Sequence, residues 1–160
     1  GTDVGTIISD ICSDSLNINN GSDAQPAICG PNETYNFYGW TSAEETDQTR
    51  SIYVTHQLPD DFTKFRAGST SVMGRTDSGL SSVEYQIYRD TPSGLVACGP
   101  AIPVASGVSS SWQKSVASGD SDPANCDFEA GDSMLFRINL TTSEQNNAYV
   151  SNIDFTYSRD

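Results

Sequence analysis

The chain has 160 residues, 36% of them hydrophobic, with Gly, Ser, Thr, Asn and Asp abundant. That length suits one domain, and the composition suits short strands joined by turns rather than helices. Eight Lys and Arg against 21 Asp and Glu leave a formal net charge of -13, which repels phosphate backbones and anionic lipid and argues against nucleic acid as a partner.

The chain opens Gly1-Thr2-Asp3 without an initiator Met, as expected of a mature chain whose leader has been removed, or of a tag-cleaved one. Residues 1–18 are β-prone. Within them GTDVGTIISDI (1–11) has apolar residues on both faces of an extended segment, the pattern of a strand buried on two sides. Two arrangements are open to it. It pairs within its own domain, or it completes the sheet of a neighbouring copy by donor-strand exchange, a heterologous contact that builds filaments.

Residues 19–34 form a loop dense in Asn, Gly, Pro and Ser, YNFYGW (35–40) an aromatic strand, and TSAEETDQTR an acidic polar run. A strand over 51–59 carries Ile52, Val54, His56 and Leu58 on one face and is stopped by Pro59. Residues 69–77 and 81–90 read as two separate strands, the second alternating Val83, Tyr85 and Ile87 against Glu84, Gln86 and Tyr88. A turn at 91–94 leads to a strand interrupted by Pro100 and Pro103, then a short strand around Trp112 and an acidic loop over 119–127. FEAGDSMLFRINL (128–140) turns at Ala130-Gly131-Asp132 and then alternates with period two. Met134, Phe136, Ile138 and Leu140 point one way; Leu135, Arg137, Asn139 and Thr141 point the other. YVSNIDFTYS (149–158) closes the chain with Ile153, Phe155 and Tyr157 on one face.

No window of ~11 residues carries the apolar spacing of an amphipathic helix, and none reaches the ~18 apolar residues that insert into a membrane. Eight to ten strands at this spacing predict an all-β fold: a two-sheet antiparallel β-sandwich of jelly-roll type, with little or no helix, in one domain. QLPDDFTKF (57–65), FEAGDSMLFRINL and YVSNIDFTYS resemble the jelly-roll modules of secreted bacterial surface and phage tail proteins, whose architecture carbohydrate-binding modules share. The resemblance covers roughly residues 50–160. It implies an extracellular adhesive or structural role and supplies no catalytic residue.

Cys12, Cys29, Cys98 and Cys126 are widely spaced, without C-x-x-C, in a chain with one His. Disulfides in an oxidising compartment are expected rather than zinc. Four cysteines permit three pairings, and sequence alone does not choose between them. Cys98 with Cys126 is the expected bridge, because both flank strands of the same half of the chain.

Nothing assembles a reaction. His56 sits mid-strand on an apolar face, the place of a packed His rather than a base, and there is no G-x-S-x-G elbow. Glu44-Glu45 and Asp60-Asp61 are sequence neighbours, so in extended chain they point to opposite faces instead of facing each other as a glycosidase requires. The chain is read as non-catalytic.

Asp120, Asp122, Asp127 and Glu129 offer the hard oxygens that calcium takes, without the EF-hand spacing; the plainer reading is a solvated acidic loop. Trp112 and Tyr38 are candidate glycan contacts by stacking, and Trp40 is a core residue. Asn20, Asn32 and Asn139 head N-x-[ST] sequons.

These readings combine into a secreted structural subunit of an extracellular surface assembly, a filament of copies of itself joined by exchange of residues 1–11. The reading from a different class is a glycan-binding or adhesive jelly-roll module. Expected partners are other copies of the chain or glycan, with no nucleic acid and no membrane insertion.

Overall fold

The computed structural model describes residues 2–7, 17–19, 37–108 and 111–160, the first two stretches as backbone alone. The strands are β1 (Thr2–Ile7), β2 (Asn17–Asn19), β3 (Tyr38–Thr41), β4 (Gln48–Gln57) and β5 (Phe62–Phe65). They continue as β6 (Ser71–Thr91), β7 (Gly94–Val108), β8 (Gln113–Val116), β9 (Ser133–Thr142) and β10 (Asn147–Arg159). Among the described residues helix is confined to two single 3-10 turns, Gly119–Ser121 and Pro123–Asn125.

The strands build a two-sheet β-sandwich of jelly-roll type. In the first sheet β10 is central. β3 and β1 pair along one side of it, and the first part of β6 and then β5 along the other. β8 extends this sheet beyond β6, and β2 adds to β3 as the one parallel pair among the described strands. The second sheet runs β7–β6–β9–β4 and is antiparallel throughout.

β6 belongs to both sheets, so the two strands expected over 69–77 and 81–90 are one element. The chain does not reverse between them. It steps from one sheet into the other through a register shift between Ser78 and Ser82, where the Leu80 N–H donates to Ser78 Oγ at 3.0 Å. A bulge of this kind bends and twists a strand without ending it.

The period-two faces meet in the interior. Val83, Tyr85 and Ile87 of β6 and Met134, Phe136, Ile138 and Leu140 of β9 are buried, against Trp40, Val72, Val150, Ile153, Phe155 and Tyr157 of the first sheet. Burying each such side chain contributes about 1.5–3 kcal/mol before chain entropy is subtracted. In β10 the inward phase changes midway. Ala148 and Val150 face the core while Tyr149 faces outward, yet beyond the register shift between Val150 and Ile153 it is Ile153, Phe155 and Tyr157 that turn in.

β1 lies antiparallel on β10 of its own chain, from Thr2 opposite Ser158 to Ile7 opposite Ile153. Cys98 and Cys126 are joined in a disulfide, as expected, with Cα atoms 5.5 Å apart. Cys12 and Cys29 lie outside the described residues.

Candidate functional site

Among the described residues, the outer face of the β7–β6–β9–β4 sheet carries a distinctive side-chain arrangement. Alternation forces it: with the even positions of β9 committed to the core, Leu135, Arg137, Asn139 and Thr141 must face solvent. On β4 the same rule turns Tyr53 outward, and it is 62% exposed, among the largest apolar exposures of the described residues.

Tyr53 stands directly opposite Arg137 across the β4–β9 pair, and Arg137 stands opposite Gln86 across β9–β6. The three form a row across three strands, which spans roughly 10 Å at the usual interstrand spacing. Arg137 Nη2 donates to Gln86 Oε1 at 3.0 Å, and Tyr88 Oη donates to the same oxygen at 2.9 Å. The guanidinium carbon lies 5.4 Å from the centre of the Tyr88 ring, a cation–π contact that fixes its plane. No carboxylate pairs with Arg137 among the described residues. Beside this row the next outward positions continue the polar array: Asn139 Nδ2 donates to Glu84 Oε1 at 3.2 Å, and Ser51 Oγ donates to Asn139 Oδ1 at 2.7 Å.

Such a face offers one exposed aromatic ring, one guanidinium whose Nη2 donates to Gln86 while its Nε is buried without a partner, and a run of amides, hydroxyls and a carboxylate. It has no nucleophile and base in register. Chemically it can stack on an apolar ring face and exchange hydrogen bonds with hydroxyl groups.

The residues expected from sequence are distributed elsewhere. Trp112 lies on the outer side of the first sheet, half-buried between Phe37 and Tyr149 at ring separations of 6.0 and 6.4 Å. Arg75 covers its ring at 5.2 Å. Tyr38 is half-buried and packs against both apolar clusters. Trp40 is a core residue whose Nε1 donates to Gln48 O at 2.9 Å.

Asp120, Asp122, Asp127 and Glu129 are not gathered around a common point; among the described residues no three His, Cys, Asp or Glu form a metal-holding group. Asp122 is instead a structural clamp: Oδ1 accepts from Ala124 N–H at 3.0 Å and Oδ2 from Gly68 N–H at 2.9 Å. Of the sequons, Asn20 and Asn32 lie outside the described residues, and the Asn139 amide carries the two bonds above. His56 is packed, not presented. Its ring lies 5.1 Å from that of Phe155, Nε2 is 3.4 Å from Tyr157 Oη, and burial lowers its pKa.

Tyr53 is not among the residues singled out from the sequence. Its signal is the phase of its own strand: if Ile52, Val54 and His56 face in, an aromatic at position 53 must face water.

No family model and no curated protein matches the chain. Among solved structures it is similar to TmCBM61 in complex with β-1,4-galactotriose, with a TM-score of 0.47 at 9% identity over 99% of this chain and 88% of that one. A structure on the promiscuous specificity of carbohydrate-binding modules from the β-sandwich superfamily gives 0.45 at 12% identity, over 96% and 53%. Infectious bursal disease virus, Gt strain, gives 0.43 at 10% identity, over 84% and 36%. These are likenesses of backbone shape.

Proposed function

We propose that the chain is a non-catalytic, extracellular glycan-binding module that holds saccharide on the solvent face of the β7–β6–β9–β4 sheet. The observation that carries this reading is the pairing of exposed Tyr53 with Arg137 across β4 and β9. A pyranose ring laid on Tyr53 buries its C–H face against the phenol, and its equatorial hydroxyls meet Arg137 and Gln86 along the strand-crossing row. Asn139, Glu84 and Ser51 extend the hydrogen-bonding surface to a neighbouring sugar. The ligand of this face is a neutral glycan in this reading, because ring stacking and hydrogen bonds to hydroxyl groups call for no charge on the sugar. The Cys98–Cys126 disulfide supports an oxidising, extracytoplasmic setting. A glycan attached at Asn139 would displace both of its bonds and cover the face, so the reading takes that sequon as unmodified.

The test is affinity electrophoresis and calorimetry against a panel of neutral polysaccharides that includes β-1,4-galactan. Wild type is expected to bind at least one, and Tyr53→Ala to lose tenfold or more of that affinity at an unchanged melting temperature. Absence of binding across the panel, or equal binding by Tyr53→Ala, overturns the reading. Negative-stain microscopy of the same sample separates the two classes: single particles are expected here, and filaments favour a structural subunit.

A further inference from the structure

A second feature stands apart from this face. A cleft of about 430 Å³ opens between β5 and the 3-10 turn Pro123–Asn125 and is lined by Lys64, Arg66, Ala124, Asn125 and Ser158, among others. Lys64 and Arg66 are two of only eight cations in a chain with 21 acids. Yet among the described residues neither forms an ion pair. Asp127 shares a smaller adjoining recess with Lys64 and still makes no ion pair with it.

The cleft is built before any ligand arrives. Lys64 is fixed opposite Ser158 in the β5–β10 pairing. Buried Asp122, the residue before the Pro123–Asn125 turn, has both carboxylate oxygens engaged in holding the walls together. One oxygen takes the Ala124 N–H of the turn, and the other takes the Gly68 N–H of the segment that follows Arg66. Two like charges held two residues apart repel each other, and an anion seated between them removes that cost. Lys supplies a point charge and Arg a planar fork, the pair suited to a carboxylate or sulfate group.

We propose that this cleft is an anion subsite that takes the carboxylate or sulfate group of an acidic saccharide. It is separate from the Tyr53 face in both residues and chemistry, so either reading fails without the other.

The test is calorimetric titration of the full chain with a trigalacturonate, a sulfated trisaccharide, their neutral counterpart and inorganic sulfate. Wild type is expected to bind at least one of the acidic trisaccharides, and Lys64→Ala/Arg66→Ala, both exposed positions, to lose tenfold or more at an unchanged melting temperature. Tyr53→Ala is expected to keep this binding, which distinguishes the cleft from the sheet face. The proposal is overturned if neither acidic trisaccharide binds, if the double variant binds them as wild type does, or if inorganic sulfate alone binds.

Discussion

Tyr53 on β4 and Arg137 on β9 oppose each other on the solvent side of a sheet whose inward side is continuous core. The guanidinium is held in place by Gln86 and by the Tyr88 ring rather than by an acid. A group positioned this way and left without a counterion is available to a ligand.

Replacing Arg137 tests that availability. Arg137→Ala is expected to reduce glycan affinity about tenfold, or roughly 1.4 kcal/mol. Arg137→Lys is expected to recover only part of it, because an ammonium lacks the planar fork and the stacking on Tyr88. Full recovery by Lys would show that charge alone matters.

The Cys98–Cys126 bridge closes a separation of 28 residues and ties β7 to the acidic loop. Constraining the unfolded chain over such a loop contributes about 3 kcal/mol. Cys98→Ala/Cys126→Ala should lower the urea midpoint accordingly, and non-reducing peptide mapping of wild type should recover the two cysteines in one linked fragment. Free thiols at both positions in the native protein would contradict the account.

Two glycines with nearly the same backbone separate conformational strain from crowding. Gly68 and Gly99 have φ of +71° and +68°, but a Cβ on Gly68 meets nothing, whereas one on Gly99 lies 2.6 Å from the backbone carbonyl of Asp120. Gly68→Ala should cost about 1–2 kcal/mol for the left-handed conformation alone. Gly99→Ala should cost more by about 2 kcal/mol, because the backbone beside the disulfide must shift. Equal costs in urea denaturation would show that the 99–120 contact yields freely.

His56 makes stability depend on pH. Burial lowers its pKa below the ordinary 6.5, so between that lowered value and 6.5 the unfolded chain binds more protons than the folded one. The stability held above pH 6.5 is therefore lost as pH falls through this window. His56→Gln should flatten that part of the curve of melting temperature against pH. A curve unchanged by the substitution would remove His56 as the cause.

The strands were legible because alternation is a local property. Met134 to Leu140 and Ile153 to Tyr157 declare their inward face from their own sequence, and the structure buries them. What depends on long-range pairing was not legible. Nothing within residues 69–90 says that the chain steps between sheets instead of turning back, since Asp77-Ser78-Gly79 reads equally well as a turn. Trp112 is flanked by Phe37, Tyr149 and Arg75, all distant from it in the chain, so its surroundings were not legible from its own stretch. Tyr53 lay in plain alternation, and its partner Arg137 is distant in the chain, so only the β4–β9 register brings them together. Composition gave the acidic loop as solvated, but it did not show that Asp122 is buried and clamps Gly68 and Ala124, because Gly68 comes from a distant stretch.

The most direct test of the central claim is a ¹⁵N–¹H chemical-shift titration with the tightest neutral oligosaccharide from the panel. The account predicts saturable shifts centred on the amides of Tyr53, Gln86, Arg137 and Asn139, on three adjacent strands of one face. Shifts centred instead on Trp112 and Tyr149 of the other sheet, or no saturable shifts at all, would contradict it.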